Sequence, residues 1–140
     1  MPYHFLDHTG DVGFELEAGS LPELLREAVA AFAGTLAEPE RLGGGEVREL
    51  EVAAPAPDLL LHALLEELLY LFEREGFLAR EGEMEVRGEE GPLRLRARLH
   101  GERWDPERTA LKLLVKGVTY HRLAVESRAG RLHGRVVLDI

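Results

Sequence analysis

Alternating apolar and polar residues predict that much of this chain is half-buried β-strand. The alternation is clear over residues 12–18, and again over 93–100, where leucine and alanine alternate with arginine. Successive side chains of a strand point to opposite faces, so each segment presents one apolar face to a core. Further strands are predicted, from apolar and β-branched residues between turn signals, over 46–53, 83–87, 118–125 and 132–138.

Two other segments repeat their apolar residues at helical spacing. Residues 21–36 have this period, and Ser20 followed by Glu23 forms a capping box at the start. A second helix is predicted over 58–72, with Asp58 as its N-cap. This second helix is apolar on nearly every side, which is typical of a helix in the centre of a fold.

The order of these elements predicts an α+β protein with a single two-layer domain over residues 1–140. The two helices are expected to pack on one face of a mixed or mostly antiparallel β-sheet. A turn is predicted at Gly101 and Glu102, and a short helix is predicted to begin at 105–108. A chain of 140 residues is long enough to bury a substantial core.

Composition and charge narrow the range of functions. The 26 acidic and 17 basic residues give a formal charge of −9, which disfavours a protein that binds mainly nucleic-acid phosphates. The absence of cysteine excludes disulfides, thiolate metal sites and cysteine nucleophiles. The first residues lack the basic start and apolar core of a signal peptide, and no apolar stretch approaches ~20 residues. We therefore expect a cytoplasmic protein that does not associate with membranes.

Acidic residues are concentrated near both ends of the sequence. Asp7, His8 and Asp11 fall within five positions, and Asp139 precedes Ile140 at the other end. Turn chemistry near the start and a frayed, solvated terminus would each explain one cluster. The alternative is that the fold brings both clusters around a hard cation such as Ca²⁺ or Mg²⁺, which prefers several oxygen ligands. Ile140 would then add its carboxylate or carbonyl oxygen beside Asp139.

Other polar residues also have both an ordinary and a functional interpretation. Lys116 is either a surface lysine or a cation directed at phosphate or at the acidic clusters. His121, on a predicted strand, is by default a hydrogen-bonded histidine. Arg94, Arg96 and Arg98 are better explained as a solvated strand face than as an RNA contact, because the overall charge opposes nucleic-acid binding.

Several motifs together resemble the archease family over essentially the whole chain. The resemblance is carried by residues 5–13 (FLDHTGDVG), 116–123 (KGVTYHRL) and 137–140 (VLDI), with the helix 58–72 and the stretch 101–108. The first and last motifs are short, but their combination with the Val-Thr-Tyr-His motif is highly specific.

This resemblance implies a small α/β protein that activates an RtcB-type RNA ligase in tRNA splicing and RNA repair. Such proteins are not ligases themselves, but promote guanylylation of the ligase and its multiple turnover. Carried over to this sequence, Asp11, Asp139 and Ile140 would bind a divalent metal ion, with Ca²⁺ expected and Mg²⁺ or Mn²⁺ as alternatives. Lys116 matches a functionally important lysine of the family.

The resemblance also implies that Asp7 and His8 lie close to the metal site, and His121 is a further candidate nearby. RNA would be contacted only through the ligase. The sequence leaves the oligomeric state open.

Two other functions stay open. A metal-dependent hydrolase would use the same acids, but it needs a general base, for which His8 and His121 are the candidates. A chaperone or scaffold would need the acids only for its structure. In that case, replacing Asp11 or Asp139 by alanine would leave the activity of the partner intact.

Overall fold

Two helices and eight strands make up the part of the chain that the structure describes, residues 2–8, 11–88 and 91–140. For residues 6–8 this computed structural model describes the backbone but not the side chains. In chain order the elements are β1 (Tyr3–His8), β2 (Asp11–Ala18), α1 (Leu21–Leu36), a 3₁₀ helix (Pro39–Arg41), β3 (Glu46–Ala54), α2 (Pro57–Glu75), β4 (Phe77–Arg87), β5 (Leu93–Arg103), β6 (Gly117–Val118), β7 (Ala124–Arg128) and β8 (Arg131–Asp139).

The strands form two antiparallel sheets. The first has the order β1-β2-β8-β6, and β7 pairs with another part of β8; the second has the order β3-β5-β4. The predicted α+β class is confirmed, with the difference that the strands are divided between two sheets instead of forming the single expected sheet. Alternation along a strand reveals its two faces but not its partners, so this division could not be predicted from the pattern.

The first helix, α1, begins with the predicted capping box. Oγ of Ser20 accepts a hydrogen bond from the Glu23 amide at 3.3 Å, and the Glu23 carboxylate accepts one from the Gly19 amide at 2.6 Å. These bonds satisfy amides at the helix start that lack an intrahelical acceptor.

The second helix, α2, begins one residue before its predicted cap. Ala56 is the cap residue and Pro57 occupies the first turn, where the missing amide hydrogen of proline costs nothing. Asp58 lies within this turn, where its negative charge is favourable to the helix dipole. Gly76 ends the helix in the left-handed conformation, with φ 70°, and its amide donates to the Phe72 carbonyl.

The core lies between the helices and the inner faces of both sheets. α1 contacts β2 and β4, whereas α2 contacts β3, β4, β5 and β6, so the helices join the two sheets. Almost completely buried side chains come from every one of these layers and include Phe14, Leu25, Leu64, Phe77, Leu99 and Val136. Within the described residues, no helix is long and apolar enough to cross a membrane.

Some predicted elements differ from the structure because tertiary pairing decides them. The strand expected over 118–125 is two short strands, β6 and β7, separated by a turn in which Arg122 has φ 56°. The short helix expected at 105–108 is a hydrogen-bonded turn, in which the Asp105 carboxylate accepts a bond from the Glu107 amide at 3.0 Å. A single turn of helix without further packing is unstable.

Two strands also differ from the prediction. β1 is absent from the sequence prediction, and β4 begins six residues before its predicted start.

The turn expected at Gly101 and Glu102 is instead part of β5, opposite a bulge in β4. The register shifts between Ala79 and Glu81, and Gly101 pairs with Ala79. A Cβ atom on Gly101 would overlap the Leu78 carbonyl oxygen and lie 2.8 Å from its carbon. Glycine is required here because the backbones of β4 and β5 approach each other so closely.

Gly101→Ala is therefore expected to destabilise the protein by at least about 2 kcal/mol, because β4 must move to admit a methyl group. Urea denaturation measures the change. Gly45→Ala is the matched control, since a Cβ atom there has no neighbour within 4 Å. The control should change the free energy of unfolding by less than about 0.5 kcal/mol. Equal effects of the two substitutions would contradict the close approach at Gly101.

Candidate functional site

The strands that carry the two acidic clusters lie side by side. β2 pairs with β8 along eight positions, from Asp11 opposite Asp139 to Ala18 opposite Leu132. The structure thus brings Asp11 and Asp139 together at one end of this strand pair. Their role as metal ligands remains a prediction.

A third segment reaches the same place from the other side of β8. Gly117 of β6 pairs with Asp139. The amide of the preceding residue, Lys116, donates a hydrogen bond to the Asp139 carbonyl at 2.7 Å, and the lysine is exposed to solvent. We call Asp11, Lys116, Asp139 and Ile140 the aspartate corner.

The two aspartates lie on the face of the first sheet that is turned away from the helices. Phe14 and Val136, which pair in the same register, are fully buried. Side chains alternate between faces along a strand, so Asp11 and Asp139, three residues away, are on the opposite face. Residues at opposed positions have Cβ atoms about 4.5–5.5 Å apart, and like charges there repel.

The donor atoms at the aspartate corner suit a hard divalent cation. Two carboxylates and the main-chain oxygen of Ile140 are all hard oxygen ligands, and a cation between the carboxylates would offset their repulsion. Asp11 and Ile140 are half-buried, whereas Asp139 is exposed. Among the described residues, no three His, Asp or Glu side chains are grouped so that they would hold a metal ion.

The other residues that the sequence predicts near the metal site, Asp7, His8 and His121, lie at different distances from the corner. The backbone of His8 pairs with that of Asp11. Asp7 and His8 therefore adjoin the corner, but their side chains lie outside the described part of the chain. His121 is exposed in the turn after β6, where its amide donates to Thr119 Oγ1 at 3.2 Å. This contact belongs to the turn and not to the corner.

Lys116 is the last residue of an irregular segment, residues 104–116, that is attached to the core. The Lys112 amide donates to the Leu36 carbonyl at the end of α1, at 2.8 Å. Val115, directly before Lys116, is buried. Long ordered loops of this kind often carry functional residues, and this one leads directly to the corner.

His62 of α2 is a buried polar residue that the sequence analysis does not single out. It is 2% exposed. Its Nε2 lies 2.9 Å from the Val118 carbonyl oxygen of β6, and its Nδ1 lies 3.1 Å from a Glu66 carboxylate oxygen. The ring stacks on Tyr120, with centroids 3.9 Å apart and an interplanar angle of 10°. A histidine inside an apolar helix, followed four residues later by glutamate, is the sequence signal for such a pair.

Two of the three outward arginines of β5 are matched by acids on the neighbouring strands, whereas Arg94 stands opposite Ala53 and Arg87. Arg96 forms an ion pair with Glu51 at 2.9 Å, and Arg98 lies 3.8 Å from Glu49. Both arginines also stand opposite glutamates of β4. Charges paired in this way are a poor phosphate-binding surface, which supports the interpretation of these residues as a solvated strand face.

Comparison with known proteins identifies the family. A sequence profile of the archease protein family matches residues 3–140. The chain belongs to the archease family. An archease of Archaeoglobus fulgidus is 33% identical over 140 residues, which cover 100% of both chains. An archease of Methanosarcina mazei is 33% identical over 139 residues, which cover 99% of this chain and 95% of the relative.

Solved structures share the fold of this archease. A protein of Methanobacterium thermoautotrophicum, determined in solution, is 25% identical and superposes with a TM-score of 0.88 over 99% of both chains. The crystal structure of an archease from Thermotoga maritima, described as a possible chaperone, is 20% identical and has a TM-score of 0.56 over 96% of this chain and 94% of that one. The second likeness concerns the fold alone.

Removal of Asp139 and Ile140 is expected to weaken this fold without abolishing it. The deletion removes the acceptor of the Lys116 amide and the strand partner of Asp11, but leaves the buried Leu138 in place. We expect the free energy of unfolding to fall by about 1–3 kcal/mol, as measured by urea denaturation. Asp139→Asn, which keeps the backbone contacts, should stay within about 1 kcal/mol of the parent. A truncated chain as stable as the parent would contradict the pairing.

Proposed function

We propose that this archease is a non-catalytic, metal-binding accessory protein that activates an RtcB-type RNA ligase in tRNA splicing and RNA repair. It would promote guanylylation of the ligase and allow multiple turnover. The observation that supports this most is the cross-strand pair of Asp11 and Asp139, with the backbone of Lys116 hydrogen-bonded beside it. The proximity of the two carboxylates on the outer face of the first sheet favours a role in binding.

In this proposal, Asp11, Asp139 and the main-chain oxygen of Ile140 hold the divalent ion, with Ca²⁺ expected and Mg²⁺ or Mn²⁺ as alternatives. A bound ion would supply a concentrated positive charge at the outer face of the first sheet. The exposed Lys116 adds a second positive charge there. Phosphate groups are recognised by such pairs of cations, which suits a protein that assists nucleotide transfer on a partner.

Among the side chains that the structure describes, an accessory role fits the corner better than hydrolysis. A hydrolase needs a general base within hydrogen-bond reach of its water. The described contact of His121 lies in the turn, and the ring nitrogens of the buried His62 face Val118 and Glu66. Turnover of phosphoesters by this archease without any ligase would favour the hydrolase.

The proposal is tested by multiple-turnover RNA ligation with the cognate ligase. Asp11→Asn and Asp139→Asn are each expected to reduce stimulation at least about tenfold, as the loss of a metal ligand or its support does. Glu17→Gln is the matched control, because Glu17 lies on the same face of β2 and is paired with Arg131 at 2.9 Å. The control should stimulate within about twofold of the parent, since exposed ion pairs contribute little.

A second readout of the same variants does not need the ligase. Saturating Ca²⁺ or Mn²⁺ at about 100 times its dissociation constant should stabilise the parent and the control by about 2.7 kcal/mol, and the Asn variants much less. Full stimulation by both Asn variants would overturn the metal-dependent activator. It would favour a scaffold or chaperone, the role given as possible for the Thermotoga maritima protein.

The net charge of −9 suggests that this archease docks on a basic, RNA-binding surface of the ligase. Raising the ionic strength tenfold from low salt should therefore increase the archease concentration needed for half-maximal stimulation at least about threefold, because screening weakens charge attraction between exposed groups. Ligation by the ligase alone over the same salt range is the control. Half-maximal stimulation that does not depend on salt would contradict docking by charge.

A further inference from the structure

We propose that His62 is a positioning residue, which acts through β6 to hold Lys116 at the aspartate corner. This inference rests on the proposed function, because Lys116 matters only if the corner acts on a partner. His62 itself is buried in α2, on the inner side of the sheet, and cannot contact that partner.

Both ring nitrogens of His62 face hydrogen-bond acceptors. The Val118 carbonyl oxygen accepts only, so Nε2, 2.9 Å away, must donate to it. The Glu66 carboxylate, 3.1 Å from Nδ1, also accepts. The Tyr120 ring stacks on the imidazole ring, with the two centroids 3.9 Å apart.

His62 therefore contacts the residues on both sides of Thr119. Its hydrogen bond reaches Val118, and its ring stacks on Tyr120. Thr119, between them, donates to the Val137 carbonyl of β8 from its amide at 3.1 Å and from Oγ1 at 2.9 Å. The short segment from β6 to Tyr120 is thus held between α2 on one side and β8 on the other.

β6 needs this support because it is only two residues long. A two-residue strand at a sheet edge has little stability of its own. Its N-terminal neighbour is Lys116, whose amide bonds to Asp139. Loss of the His62 contacts is expected to loosen β6 and, with it, the position of Lys116.

The aspartates do not depend on His62 in the same way. Asp11 and Asp139 are held by the eight paired positions of β2 and β8. Loss of His62 should therefore change the position of Lys116 while the pair of carboxylates stays in place. This asymmetry distinguishes a positioning role from general packing, which would disturb both.

The first experiment measures amide hydrogen exchange in the free protein, with no ligase present. His62→Leu should raise the exchange rates of the Lys116 and Thr119 amides at least about tenfold, relative to the amides of β2. His62→Gln, whose side-chain amide still donates to Val118, should restore most of the protection. Unchanged exchange at Lys116 and Thr119 in His62→Leu would overturn the positioning role.

Two further variants keep this experiment decisive. His100→Gln is the matched control, because His100 also has a glutamate partner, Glu83 at 2.6 Å, but lies on β5 of the second sheet. It should leave exchange in β6 unchanged. If His62→Leu does not fold, Tyr120→Leu replaces it, because Tyr120 is 65% exposed and its loss removes only the stacked ring. Its Thr119 amide should exchange faster, and an unchanged rate would again count against the proposal.

The second experiment is a double-mutant cycle in the ligation assay. His62→Leu and Lys116→Ala should each reduce stimulation, and the double variant should be no worse than Lys116→Ala alone, because both act through the same lysine. Divalent-ion affinity of His62→Leu should stay within about threefold of the parent, since the carboxylates are held elsewhere. Additive losses, normal stimulation by His62→Leu or a large loss of ion affinity would each overturn the mechanism.

These readouts separate the two proposals. If the parent does not stimulate the ligase, the proposed function fails, while the exchange rates still decide whether His62 positions β6. If the parent stimulates and exchange is unchanged in His62→Leu, only the role of His62 is lost.

Discussion

The pairing of β2 with β8 is the interaction on which both the fold and the candidate site depend. The same register buries Phe14 against Val136 on the inner face and sets Asp11 opposite Asp139 on the outer face. A slip of one residue would exchange the two faces and expose the apolar side chains. The position of the two carboxylates is therefore maintained by the hydrophobic core and needs no favourable contact of its own.

Charges are arranged differently on the second sheet and at the aspartate corner. On the second sheet, Arg96 and Arg98 of the central strand are flanked by glutamates of β3 and β4, so positive and negative side chains balance locally. At the aspartate corner, two acids face each other on adjacent strands with one exposed lysine beside them. A balanced array of this kind stabilises a solvated surface.

The elements that could be predicted from the sequence are those set by the local pattern of apolar and polar residues. Helix α1, with its capping box, and strand β2 follow from nearest-neighbour preferences, and their bounds agree closely with the prediction; β5 begins as predicted but continues three residues further. Other features depend on contacts with distant segments. Residues 118–125 divide into β6 and β7 where Thr119 bonds to Val137, and Gly101 stays in β5 where it packs closely against Leu78.

The candidate site was only partly predictable. A shared site for Asp11 and Asp139 could be proposed because the family resemblance and the chemistry of carboxylates point to the same residues. A role for His62 could not be proposed from the sequence, because only the packing of α2 against β6 gives this residue one.

The distance in sequence between β2 and β8 also determines when the corner can exist. β3, α2, β4 and β5 follow one another along the chain and can pair as soon as they are synthesised, whereas β2 must wait for residues 131–139. Contacts between such distant segments form late in folding. A nascent chain on the ribosome would thus contain the second sheet before the two acids meet.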